Sequence, residues 1–274
     1  MKPVTRLDAV ERAHLVDPAD RTWRIDRHDV PPDLADLARR FWVPVWDVPA
    51  GVESRQQVLQ YPVALLVVAR DYARFYGVVS GLSTTTLTGR GWAVGVMLQP
   101  AAGALLTRDP MHRWTDRAED LGTVLGAPGE QLVGRVRAAM DADGGGPQAQ
   151  REATDAYADL LRTFLPVDDE GLLVNRVVAE VEDDPGLLRV DQLCERFGMA
   201  ERALQRLLRR RTGLSPKWLI QRRRLHEAAE RLRAGQVSVA QVAAQLGYAD
   251  QPHLTRDFRR VTGLTPGQFA ARFR

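Results

Sequence analysis

The chain has 274 residues, ordinary apolar and charged fractions and a formal charge of +3. That length suits two domains with a core each, and the composition excludes a disordered, fibrous or low-complexity chain. A single cysteine, Cys194, excludes an intramolecular disulfide framework, and the longest apolar run, Val63 to Ala69, is far too short to span a bilayer. The opening octet, Met1 to Asp8, mixes basic with acidic residues around no apolar core, so it does not read as a secretion signal. These features together read as a soluble, cytoplasmic protein. The charge is unevenly divided. Residues 189–274 hold 18 Lys and Arg against 7 Asp and Glu, whereas residues 1–188 hold 20 against 28. A basic domain tied to an acidic one suits a polyanion partner for the first and a different task for the second. Lys2 and Lys217 are the only lysines, so the placement of the arginines is more informative than their number.

In chain order, the first predicted elements are strands. Phe41–Val48, Val58–Tyr61, Val63–Ala69, Tyr76–Val79, Thr84–Leu87 and Trp92–Gln99 are short, rich in Val, Thr and aromatics, and punctuated by Gly and Pro. Short strands at that spacing predict a small β-barrel or sandwich. From about residue 101 the pattern turns helical, with expected helices at 101–107, 116–125, 130–140, 148–165 and 172–181. Asp143-Gly144-Gly145-Gly146-Pro147 breaks two of them apart, and Asp183-Asp184-Pro185-Gly186 reads as a hinge into the basic domain. The expected layout is therefore α+β. A β-rich sensor or dimerisation domain with trailing helices spans 1–165, a helical linker spans 166–188, and an all-α domain spans 189–274.

The basic domain carries an internal repeat. Arg209-Arg210-Arg211-Thr212-Gly213-Leu214-Ser215-Pro216 returns fifty residues later as Arg259-Arg260-Val261-Thr262-Gly263-Leu264-Thr265-Pro266. Ahead of each copy stands a short amphipathic helix ending in glycine, then a helix with basic and amide residues on its open side, predicted at 201–211 and 251–261. That is a helix-turn-helix, twice over. Ser238 with Gln241 forms a capping box for the second copy. Ser215-Pro216 starts a connecting helix that runs to about Leu232 and is capped by Gly235.

These residues resemble the DNA-binding domain of the AraC/XylS family of transcriptional regulators. The marks are Leu204-Gln205-Arg206-Leu207-Leu208-Arg209-Arg210, the Thr212–Pro216 link, Arg224-Leu225 with Ala228, Leu246-Gly247-Tyr248-Ala249-Asp250-Gln251, and Phe258-Arg259-Arg260 through Thr265-Pro266. Phe41-Trp42-Val43, Gly89 to Val96 and Leu98-Gln99-Pro100 are similar to the β-rich sensor region of an actinobacterial-type branch. The resemblance implies a cupin-like small barrel that senses a small molecule, followed by two helix-turn-helix units joined by a linker helix. It implies sequence-specific binding of double-stranded DNA, with RNA polymerase and a second copy of the chain in a homodimer as further partners. No cofactor, catalytic role or membrane is implied. By position, Arg202, Gln205 and Arg206 on the first reading helix would meet base edges, as would Gln251, His253, Thr255 and Arg256 on the second. Arg209, Arg210, Arg222, Arg259 and Arg260 would contact phosphates. Arg suits guanine and Gln suits adenine by paired hydrogen bonds, whereas phosphate contacts position the protein without reading sequence. Ala200 stands where the family commonly has a Ser or Thr cap, and Pro252 sits in the first turn of the second reading helix.

Trp42, Trp46, Tyr61, Phe75, Tyr76 and Trp92 are candidates to line an effector pocket or to form ordinary barrel core. His14, His28, His112 and His226 have no metal-ligand spacing, so no metal is expected. Cys194 reads as a small packed thiol. A purely interacting or dimerising N-terminal domain is the alternative to a sensor.

Overall fold

The computed structural model describes residues 14–15, 19–235 and 237–273, so the opening octet lies outside the described residues. The first half is a pair of antiparallel sheets. Strands β1 (Trp23–Asp29), β2 (Ala38–Asp47), β4 (Leu65–Ala69), β5 (Ala73–Tyr76), β7 (Arg90–Leu98) and β8 (Ala118–Asp120) form one sheet in the order β1-β2-β7-β4-β5-β8. Strands β3 (Ser54–Val58) and β6 (Ser83–Leu87) form a second, two-stranded ladder.

Alternation along the strands gives the large sheet two different faces. Phe41 and Val43 of β2, Leu66 and Val68 of β4, Phe75 of β5, and Trp92, Val94, Val96 and Leu98 of β7 are buried in one core. They pack against helices α3 (Ala127–Ala142) and α4 (Pro147–Arg162) through Leu132, Val136, Met140, Ala153 and Tyr157. The buried Tyr157 hydroxyl donates to the Val94 carbonyl at 2.8 Å. Short helices α1 (Ala102–Thr107) and α2 (Leu121–Leu125) cover the same side, contributing Ala102, Leu106 and Leu121. The residues between those positions, among them Trp42, Trp46, Val67, Ala93 and Met97, line a cavity on the opposite face, which β3 and β6 cover.

Several expected boundaries move. Strand β1 carries Arg24, Asp26 and His28 between its inward residues and gave no apolar signal; its polar face is used instead, with His28 Nε2 and Gln150 Oε1 2.7 Å apart and Asp26 accepting from Gln150. The helix expected over 116–125 begins only at Leu121. Asp120 caps it by accepting from the Gly122 N–H at 2.8 Å, and Ala118–Asp120 pair with β5 at the sheet edge. The strand expected to end at Tyr61 ends at Val58.

The second half is helical: α5 (Asp169–Asp183), α6 (Val190–Phe197), α7 (Glu201–Thr212), α8 (Pro216–Ala234), α9 (Val239–Gln245), α10 (Gln251–Thr262) and α11 (Pro266–Phe273). Helix α5 packs Val174, Val177, Val178 and Val181 into one core with Leu193, Leu204, Leu208 and Leu219, so it is an integral wall of the first helix-turn-helix. Helices α9, α10 and α11 share a second core with the far half of α8, built on Leu225, Leu232, Val242, Leu254, Phe258 and Phe269. Residues from the β-rich half enter both cores, with Val78 and Ala101 in the first and Leu15 and Leu59 in the second.

Candidate nucleic-acid interface and cavity

The two exposed helices are built alike. Each has 12 residues, ends in a glycine with positive φ (Gly213 at 78°, Gly263 at 75°) and is followed by a helix opening on proline. Leu204, Leu207 and Leu208 bury one side of α7, as Leu254 and Phe258 bury one side of α10. This amphipathic spacing leaves Arg202, Gln205 and Arg206 exposed on α7, and Gln251 and Arg256 exposed on α10. His253 and Thr255 are half-buried. The His253 ring meets Tyr248 edge-on at 5.2 Å and lies 3.8 Å from the Asp257 carboxylate. Gln205 donates to Glu201 at 2.7 Å within its own helix.

The capping of the two helices differs as their sequences demand. Asp250 accepts from the His253 N–H at 2.7 Å, a cap the sequence reading passed over, whereas Ala200 supplies no side-chain oxygen. Pro252 sits in the first turn of α10, where its missing N–H costs no helical hydrogen bond. Ser238 accepts from Gln241 N and Gln241 Oε1 accepts from Ser238 N, closing the box at the start of α9.

The arginines assigned to phosphates fall into three groups. Arg209 and Arg259 are exposed. Arg210 and Arg260 are exposed but ion-paired, with Glu170 of α5 and with Asp257 at 3.1 Å respectively. Arg222 must be reassigned. It is 3 % exposed, donates to the carbonyls of Ser80 and Gly81 in the loop before β6, and lies over the Trp218 ring at 4.5 Å. Burial drives its pKa down to about 10. A guanidinium enclosed by carbonyl oxygens of the other domain has no route to a phosphate in this arrangement.

Connecting helix α8 spans about 28 Å at 1.5 Å per residue. It is buried on nearly every side, and even its Arg223 and Glu227 are enclosed, paired at 2.6 Å. Cys194 is half-buried, and burial with Glu201 and Asp191 nearby pushes its thiol up, the opposite of a reactive thiolate.

The cavity in the first half measures about 490 Å³, within the range of small-molecule sites. Its floor is the second face of the large sheet. Trp42 stands opposite Gly95 and Trp46 opposite Gly91, and a Cβ on either glycine would come within 2.3 Å of the facing indole. The two indoles therefore pack across β7 where the glycines leave room, and Trp46 Nε1 donates to the Thr88 carbonyl at 3.2 Å. Tyr61 and Tyr76 also line the cavity. Phe75 and Trp92 do not. Strand parity turns both to the helix-covered core, where Phe75 meets Trp114 edge-on at 5.1 Å. The reading missed Trp23, Arg27, Tyr72 and Arg74 as lining residues, since β1 was not foreseen and cavity-facing parity could be read only once the register was known.

Residues 193–272 match a family model described as a helix-turn-helix domain, and residues 26–120 match one described as a domain of unknown function (DUF6597). The duplicated, connected helix pairs under that match are decisive. Residues 193–272 form a double helix-turn-helix of the AraC/XylS type. It is a DNA-binding domain. The HTH-type transcriptional activator RhaS of Escherichia fergusonii is 34% identical over 94 residues, 34% of each chain. RhaS of Escherichia coli strain SE11 is 36% identical over 76 residues, 28% of this chain and 27% of that one. The match thus spans about a third of the length of these curated relatives. Among solved structures, the C-terminal domain of AraT, a response regulator from Geobacillus stearothermophilus, aligns with TM-score 0.35 and 21% identity over 38% of this chain and 88% of its own. ToxT from Vibrio cholerae aligns with TM-score 0.41 and 11% identity over 92% and 99%. Among the described residues no helix is long and apolar enough to cross a membrane, and no cluster of three or more His, Cys, Asp or Glu side chains is placed to hold a metal.

Proposed function

We propose that the chain is a sequence-specific transcription regulator whose grip on DNA is set by a small molecule in the N-terminal cavity. Arg202, Gln205 and Arg206, with Gln251, His253, Thr255 and Arg256, read bases in this account, while Arg209, Arg210, Arg259 and Arg260 hold phosphates. The single observation that carries effector control is that one loop supplies both the cavity wall and the contact with α8. Val79 lines the cavity, the next two residues give their carbonyls to Arg222, and Ser83, Thr84 and Thr85 line the cavity again. Tyr61 also serves both, lining the cavity and stacking on His226 of α8 with ring centroids 4.6 Å apart. A change in cavity filling moves groups that touch the helix joining the two readers.

The test fills the cavity without needing the effector. Ala93, 3 % exposed on the floor, is replaced by Leu, and affinity for a duplex selected by the protein is measured. Ala93→Leu is expected to change that affinity several-fold, and adding Tyr61→Ala is expected to remove most of the change. Wild-type affinity in a folded Ala93→Leu protein would leave the N-terminal half as an interaction module and end the sensor reading.

A further inference from the structure

Between residues 216 and 229 the connecting helix α8 is buried except at Lys217, Trp218, Gln221 and Arg224. Trp218 carries the Arg222 guanidinium over its ring. The other three are spaced four and three residues apart, so they form one open stripe. Arg222 and His226 stand two residues before and two after Arg224, hence on the opposite side of the helix. Both are turned to the β-rich half, Arg222 through the Ser80 and Gly81 carbonyls and His226 through the Tyr61 ring. The stripe therefore runs along the side of α8 that faces away from that half. It also lies where the two helix-turn-helix cores meet, since Leu219 and Ile220 enter the first and Leu225 and Ala228 the second.

Arg224 is the member of the stripe whose charge is least accounted for. Its guanidinium lies over the Tyr248 ring, 3.9 Å from the centroid. Nε and Nη2 are enclosed and have no hydrogen-bond partner among the described residues, which leaves Nη1 as the open nitrogen. The nearby carboxylates are engaged elsewhere. Glu227 is held by Arg223 at 2.6 Å and Arg231 at 3.5 Å, and Asp257, near Tyr248, is held by Arg260 at 3.1 Å. Half-burying a guanidinium without an anion is unfavourable, and an aromatic face offsets only part of that. The Tyr248 ring also meets His253 of the second reading helix, so it fixes where Arg224 stands relative to α10.

We propose that Lys217 and Arg224 hold the sugar-phosphate backbone of the duplex between the two reading helices, a phosphate supplying the anion that Arg224 lacks among the described residues. Charge complementarity and continuity with the two readers select this partner. A duplex that takes α7 and α10 in successive major-groove faces presents its backbone to the rod that joins them, and a guanidinium held in place suits a phosphate. This rests on the DNA-binding half alone and needs neither a small-molecule effector nor any particular base assignment.

The experiment measures affinity of the full chain across a salt series for two duplexes of equal length, one selected by the protein and one of random sequence. Arg224→Gln should weaken both by the same factor, on the order of tenfold, and lower the salt slope by about one, whereas Arg224→Lys should keep the slope. Lys217→Gln, on an exposed side chain where folding is not at stake, should lower the slope by a similar amount. The wild-type protein is then titrated with selected duplexes that each carry one neutral methylphosphonate between the two reading sites. At least one should bind several-fold more weakly than its parent, and that difference should vanish in Arg224→Gln. Wild-type protein indifferent to every such substitution would overturn the proposal without reliance on any variant. A folded Arg224→Gln protein with an unchanged salt slope would overturn it too, leaving the residue as packing for Tyr248 or as a contact for another protein. So would a loss confined to the selected duplex, the signature of a base reader.

Discussion

Arginine placement shows how one residue type is divided among tasks by what lies within reach. Arg206 and Arg256 stand on the open faces of α7 and α10 with no ion pair among the described contacts. An Arg in that position gains most from a base edge, so Arg206→Ala or Arg256→Ala should lose about 1–3 kcal/mol on the preferred duplex and relax preference at particular bases, measured by titration against single-base variants. Equal losses on preferred and random DNA would contradict their role as readers. Arg222, although it lies in a basic run with Arg223 and Arg224, faces inward. Arg222→Met should therefore leave the salt dependence of DNA binding unchanged, whereas Arg209→Ala should reduce its slope by about one. A reduced slope for Arg222→Met would return that residue to the phosphate-binding set. Nothing in the sequence separated these arginines, because an amphipathic helix normally has one polar face; α8 is covered on nearly all sides by the two helical cores and the β-rich half, and only tertiary structure reveals which charge is enclosed.

At the scale of elements, the helical half was legible and the sheet half only in outline. Leu204, Leu207 and Leu208, then Leu254 and Phe258, repeat at helical spacing, and Gly213 and Gly263 mark the stops, so helix and turn signals agree. In the sheets the signal depended on having apolar residues on both faces. Strands β2, β4 and β7 have them and were found; β1 alternates Trp23, Ile25 and Arg27 with charged residues, and β8 is exposed throughout. The candidate pocket was half legible for the same reason. Trp42 and Trp46 share a parity, as do Phe75 and Trp92 relative to the opposite face, but which parity meets the cavity is fixed by where α3 and α4 pack. The two reading helices offer a direct check on capping. Asp250→Ala should destabilise the chain by about 1 kcal/mol, while Ala200→Ser should stabilise it by a similar or smaller amount, both read from denaturant midpoints. A neutral Asp250→Ala would mean that the hydrogen bond to His253 N contributes nothing to α10.

For the whole molecule, the division into an acidic and a basic half concealed how tightly the halves are joined. Leu15 and Leu59 complete the second helix-turn-helix core, Val78 and Ala101 complete the first, and the Gly213 turn is pressed so close to Met111 and Thr115 that an added Cβ would lie 2.7 Å from the threonine hydroxyl. Arg39 adds an ion pair to Glu182 of α5 at 2.8 Å. None of these contacts has a sequence signature, since each is a long-range meeting of ordinary apolar or charged residues. They matter because the two readers can serve one site only if α8 and the surfaces gripping it hold them on the same side of a duplex. Hydroxyl-radical footprinting of the full chain on a duplex it selects measures this. The expected pattern is two protected patches on one face, centred about 10 base pairs apart, the separation of successive major-groove faces. A single patch, or two patches on opposite faces about 5 base pairs out of phase, would show that the duplicated helices do not read DNA together.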